Sequence, residues 1–169
     1  MAYKTILRVL SLMLAFVILL FCFAACSDKK EEEETTAAPI IGDFVPPPFD
    51  ETAEVGKPTV PDPKEMGYTS FDAHAFKVTI CCEITFSGNN ADLYFTNPEE
   101  NNVWLKLRVI NASGEVVAET GLIRPGEYIK TVRFSKIPSS GEKITLKAMA
   151  YEPQSYYSVG AAPITTIVR

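Results

Sequence analysis

Histidine and tryptophan occur once each in this chain of 169 residues, and cysteine four times. With His74 as the single histidine and no serine near it in a Gly-x-Ser-x-Gly turn, a hydrolase relay has almost nothing to be built from. Cys81 follows His74 by seven residues, roughly 23 Å along an extended strand, so a Cys-His pair would need a fold-back. His74 reads instead as a partly exposed residue leading into the first long strand. Of the cysteines, Cys22 and Cys26 lie in an apolar leader, and Cys81 and Cys82 are adjacent. The long-range disulfide of antibody domains is therefore not available. Neighbours on a strand point to opposite faces, and bridging them requires Cα atoms closer than bridged pairs usually have. Cys82 is expected to be a small buried apolar residue, and Cys81 to lie outward or under a loop. A surplus of basic residues is also missing: Tyr68 to Arg169 carries 10 acids and 10 bases, which argues against nucleic-acid binding.

What is present begins with the leader. Lys4 and Arg8 precede an almost wholly apolar run from Val9 to Phe23, and Ala24-Ala25 supplies small residues before Cys26. Phe23-Ala24-Ala25-Cys26 resembles the lipobox of bacterial lipoprotein signals, an aliphatic residue and two small ones before the lipidated cysteine, with Phe23 where that family usually has Leu. The resemblance implies cleavage after residue 25, lipidation of Cys26 with palmitate-type acyl chains, and a domain held at the outer face of the cell membrane. Two acyl chains anchor firmly, since each buried methylene contributes about 0.8 kcal/mol. Two other readings of the same residues stay open. Val9 to Ala25 reaches the minimum of about 17 apolar residues for a membrane span, and Ala25 also suits a plain secretory cleavage. All three place the remainder outside the membrane, and nothing after residue 169 is expected to supply a second anchor.

Residues 27–67 read as a tether. Seven of the twelve prolines are here, the run Glu31 to Glu34 adds like charges, and 11 acids face 4 bases. Such a segment buries too little apolar surface to offset its ordering entropy. Stretched, it reaches about 135 Å; as a flexible coil it averages ~35 to 40 Å. Ile40, Ile41, Phe44, Val45 and Phe49 are the exception, either docking on the domain or a partner or standing as isolated apolar residues.

From Tyr68 onward the period is two. Phe76, Val78, Ile80, Cys82, Ile84 and Phe86 share one face, and Lys77, Thr79, Cys81, Glu83 and Thr85 the other. Further strands are expected over Leu93–Thr96, Val103–Asn111, Glu115–Glu119, Tyr128–Phe134, Lys143–Glu152 and Ala162–Val168. Ala112-Ser113-Gly114 makes a hairpin, so the Asn111-Ala112-Ser113 acceptor pattern is assigned to a turn, and Arg124-Pro125-Gly126 makes another turn. No segment shows a helical face. Seven short antiparallel strands at this spacing predict an all-β, immunoglobulin-like β-sandwich over residues 68–169.

Phe95-Thr96-Asn97-Pro98-Glu99-Glu100-Asn101, Gly114-Glu115-Val116-Val117 and Thr120-Gly121-Leu122-Ile123-Arg124-Pro125-Gly126-Glu127-Tyr128-Ile129 resemble a small surface domain recurrent in secreted and wall-associated proteins of Gram-positive anaerobes. Thr120 replaces its usual Ser, and Ile144 its more frequent Tyr. The resemblance implies an immunoglobulin-like fold and a surface location, with no defined biochemical role.

Two sites are expected. Oxygen ligands from Asn89, Asn90, Asp92, Asn97, Glu99, Glu100, Asn101 and Asn102 are numerous enough for a hard cation such as calcium, although Asn and Asp are also ordinary turn formers. Trp104, Tyr151, Tyr156 and Tyr157 form an aromatic set able to stack on sugars or anchor a protein, or simply to pack. No cofactor is implied. The expected function is a non-catalytic, membrane-anchored extracellular binding or adhesion module whose partners are the membrane, through Cys26, and an envelope polysaccharide or surface protein. An accessory subunit of a surface assembly pairing through a strand edge, or an envelope protease inhibitor, are the alternatives.

Overall fold

Alternating apolar and polar residues fold as pleated strands because only one face then needs burial. The computed structural model describes residues 45–169. The leader over 1–25, Cys26 and the tether as far as residue 44 lie outside the described residues. Within them the chain forms ten strands and no helix: β1 (Glu54–Val55), β2 (Tyr68–Asp72), β3 (Lys77–Cys81), β4 (Phe86–Ser87), β5 (Asn90–Asn97), β6 (Trp104–Ile110), β7 (Val116–Glu119), β8 (Glu127–Arg133), β9 (Lys143–Tyr151) and β10 (Ser158–Ile167).

They make two antiparallel sheets stacked as a sandwich. One runs β1-β8-β5-β3-β2, with β4 paired to β5, and the other β10-β9-β6-β7. Between the sheets lie Val78, Ile80, Leu93, Phe95, Leu105, Leu107, Val109, Phe134, Ile144 and Leu146, all buried. Each such side chain contributes about 1.5–3 kcal/mol relative to exposure. The expected all-β sandwich is the observed fold, with ten strands where seven were expected. The long first strand is two, β3 and β4, because the chain leaves the sheet after Cys81 and Ile84 bridges to Val168.

The folded body also begins earlier than residue 68. Leu122 N–H donates to Pro48 O and Asp50 N–H to Leu122 O, each at 2.9 Å, so Phe49 lies parallel beside Leu122. Gly121 N–H donates to the Asp50 carboxylate at 2.7 Å. Gly121 is required there, since a Cβ would stand 2.5 Å from Asp50 N. Glu54 and Val55 then pair with Tyr128 and Glu127, and Val60 is buried against Cys81 and Tyr94. The stretch expected to be the end of the tether is thus a strap on the domain. Its proline-rich composition hid this because most of its attachment is through backbone groups.

The strap makes a second, smaller core on the outer face of the six-stranded sheet, where Val60, Cys81 and Tyr94 meet Met66 and Tyr68. Tyr94 sits at a bulge where the β5–β8 register shifts, with φ 44°. A non-glycine residue there costs about 1–2 kcal/mol, which its burial offsets. Cys81 lies beneath the strap and Cys82 packs on the main core, both as free thiols. Burial, then the neighbouring Cys82 and Asp92, push the Cys81 thiol up to about 12.

Candidate functional site

The strap also shapes a cleft. It crosses from the start of β8 towards β2 and leaves a groove of about 650 Å³ at one end of the outer surface of the six-stranded sheet. That volume lies within the ~300–1,000 Å³ range of small-molecule sites. Thr79 and Thr96, directly paired across β3 and β5, form the floor with Tyr68 and Ser70 from β2. Pro58, Pro98 and Pro125 stand on the walls, and Lys77, Glu99 and Glu100 on the rim.

The floor is organised by hydroxyl pairs. Tyr68 OH and Thr96 Oγ1 are 2.9 Å apart, and Thr96 donates to Tyr94 O at 2.8 Å. Ser70 Oγ and Thr79 Oγ1 are 2.7 Å apart. A hydroxyl has one donor and two acceptor positions, so each pair retains capacity for a polar ligand. Burial pushes the Tyr68 phenol up, which keeps it a neutral donor. Among the groove's hydroxyl residues only Thr79 and Thr96 lay in strands expected from the sequence. Tyr68 and Ser70 belong to a polar edge strand whose alternation is too weak to recognise, and the strap wall was read as tether.

The residues expected to hold a cation do not converge. Asp92 accepts from Thr131 at 2.5 Å and lines a separate hollow, five residues along β5 from Asn97. Asn97 is wholly buried, and its amide donates to Val103 O at 2.9 Å and Ile123 O at 3.1 Å. Its side-chain oxygen accepts from Asn101 at 2.6 Å, and Asn101 also exchanges two bonds with the Lys77 backbone. These amides tie the Pro98–Asn102 loop to three segments, which consumes the groups a metal would need. Glu100 faces Lys77 at 3.9 Å, and Glu99 is exposed on the groove rim. Among the described residues no group of three or more His, Cys, Asp or Glu could hold a metal ion.

The aromatic set is brought together in part. Trp104 is paired with Tyr151 across β6 and β9. Its ring meets Tyr156 edge-on at 5.0 Å and Phe49 at 4.8 Å, and the Arg124 guanidinium lies 3.6 Å from the Phe49 ring centre. Trp104 is thus held between a strap residue and a loop residue, a packing role. Tyr157 is 75% exposed. The loop is held by Tyr156 N–H donating to Glu152 O and by Ser155 against the Glu152 carboxylate. Phe49, one of the five tether apolars, is the member that was missing from the aromatic set.

Compared with known proteins, the chain matches no family model and no curated protein. Among solved structures, a match to Ruminococcus gnavus β-glucuronidase in complex with uronic isofagomine has 15% identity and a TM-score of 0.35. It covers 53% of this chain and 15% of that one. The chain therefore spans about a seventh of that enzyme's length, and at this TM-score the likeness carries no functional implication.

Proposed function

We propose that this protein is a lipid-anchored extracellular binding module without a catalytic role, and that the groove beneath its strap takes an envelope polysaccharide. The Phe23-Ala24-Ala25-Cys26 sequence supports anchoring through Cys26. The acidic stretch up to residue 44 supports a tethered display, and His74 on the exposed turn between β2 and β3 offers no relay.

The observation that carries the ligand class is the floor of paired hydroxyls from Tyr68, Ser70, Thr79 and Thr96 between proline walls. Sugars present hydroxyls along their edges and C–H groups on their faces, which matches such a lining. Calorimetry of the purified chain with fragments of envelope polysaccharide is expected to give binding that Thr79→Val with Thr96→Val reduces at least tenfold. Binding unchanged in that variant, or seen only with peptides, refutes the ligand assignment. Mass spectrometry of the native amino terminus tests the anchor: a diacylated Cys26 is expected, and an intact Met1 refutes it.

A second reading, an accessory subunit joined by strand addition, is favoured by β10, whose ten residues form one edge of the four-stranded sheet. Crosslinking on intact cells decides for it if one protein is captured stoichiometrically through β10 positions.

A further inference from the structure

The outer face of the four-stranded sheet gathers basic residues. Cross-strand register places Arg108 opposite both Lys147 and Glu119, Lys106 opposite Met149, and Lys143 opposite Ile167. Directly paired residues share a face, so Lys106, Arg108, Lys143 and Lys147 all stand on this one, Lys106 buried beside its partner and the other three reaching the surface, with Glu119 as its only acid. Glu119 is taken up entirely: Lys106 Nζ and Arg108 Nε each lie 2.6 Å from one of its oxygens. Although burial pushes this carboxyl up, the bonds from Lys106 and Arg108 outweigh it and hold it below the usual carboxylate range. Among the described residues Lys143 and Lys147 have no ion pair. The face carries three net positive charges in a stretch, Tyr68 to Arg169, that is neutral as a whole.

The same face projects apolar groups. Of the seven large apolar side chains exposed among the described residues, Val116, Tyr157, Val159 and Ile167 belong to this sheet or to the loop feeding β10. Val116 is opposite Ile110, and Ile167 opposite Lys143, at the end away from Trp104. Cations beside projecting aliphatic side chains suit the boundary between lipid headgroups and acyl chains. A hydrated anionic polymer would satisfy the cations and leave the valines and isoleucine unused.

We propose that this face docks on an anionic lipid surface. The inference rests on the lipid-anchor reading in one respect. Three net charges attract an anionic bilayer only weakly, whereas an anchored module meets that bilayer at high effective concentration, so a weak face becomes an occupied one. Docking fixes orientation: with the four-stranded sheet against the headgroups, the groove on the opposite sheet opens away from the membrane.

Trp104, the only tryptophan, stands at the end of this face and reports on it. The full native chain is reconstituted with vesicles of phosphatidylcholine, alone or mixed with phosphatidylglycerol, each containing a headgroup-labelled quencher lipid. Flotation on the neutral vesicles tests the anchor, and the difference in Trp104 quenching between the two vesicle types tests the face. Quenching is expected to be several-fold stronger with phosphatidylglycerol, and to fall to the neutral level in high salt or in Lys143→Glu with Lys147→Glu. Ile167→Asp is expected to weaken it without a change in charge on the lysines. Equal quenching in both vesicle types, or insensitivity to salt and to charge reversal, overturns the proposal. So does salt-sensitive capture of a soluble anionic polysaccharide with no response to vesicles. If the chain floats on neither vesicle, the anchor reading has failed, and quenching at excess anionic lipid still decides the face.

Discussion

The two outer faces of this sandwich are finished in opposite ways. The strap crosses the six-stranded sheet, burying Tyr94 and Cys81 on what would otherwise be its wet side and leaving a groove beside them. The four-stranded sheet is covered only at its Trp104 end, where Phe49 and Tyr156 pack on it and Lys106 and Met149 are buried, and beyond that its outward residues include Arg108, Lys143, Thr145, Lys147 and Ile167. Covering a sheet creates concavity and enclosed hydroxyls, the means of binding a small polar ligand. Leaving most of one uncovered preserves a charged face suited to another surface.

This contrast can be broken most forcefully at Asn97. Replacement by Ala removes the side-chain donor to the Val103 carbonyl, leaves the Ile123 carbonyl with Leu105 N–H alone, and costs the Asn101 amide one of its two acceptors. The expected loss is about 2–4 kcal/mol, read from urea unfolding. Next is Gly121→Ala, whose Cβ collides with the Asp50 backbone. A cost of about 1–3 kcal/mol is expected, together with rapid protease cleavage between residues 48 and 60 if the strap is displaced. Phe49→Ala removes one flank of Trp104 and is expected to cost about 1–2 kcal/mol with a red shift of its fluorescence. No change in emission would show that the strap does not shield that ring.

A fourth prediction concerns thiols on the covered side. With Cys81 pushed up to about 12, its reaction with an alkylating reagent at neutral pH is expected to be far slower than that of an unfolded control. Because the folded value lies above the ordinary thiol value of 9.0, stability from this group is full below pH 9 and declines as pH rises towards 12.

The smallest effect is at the hairpin after β6. Lys136, Asn111 and Ser113 hold the exposed Glu115 carboxyl at about 2. Its contribution is present above the ordinary value of 4.5 and is lost as pH falls towards 2. In Lys136→Ala, an NMR titration is expected to show the Glu115 carboxyl moving back towards that ordinary value.

The bare sheet was legible in the sequence because β6 and β9 alternate without interruption, so faces, pairs and hairpin followed from period two. Asn111 is an instance: its side-chain oxygen accepts from the Ser113 and Glu115 amides, closing the turn expected from Ala112-Ser113-Gly114. The covered sheet was legible on its inner side only. Leu93 and Phe95 signalled core, but nothing local told that Tyr94 was also buried, since its cover comes from Val60, distant in sequence. The strap itself is invisible to periodicity, as Pro48 engages through its carbonyl and Asp50 through its amide, backbone groups that side-chain patterning does not report. For the same reason the groove could not be read, and Asn97 and Asn101, grouped with the acidic residues as oxygen ligands, are loop fasteners.

The parallel pairing of Pro48–Asp50 with Gly121–Leu122 has a mechanical consequence. Any pull arriving along the chain ahead of Pro48 loads that short ladder and the Phe49 ring wedged between Arg124 and Trp104 before it reaches the ten strands. Three residues yield more readily than an interlocked core. The clasp would therefore release first under tension, freeing the strap and loosening one wall of the groove while the sandwich stays intact.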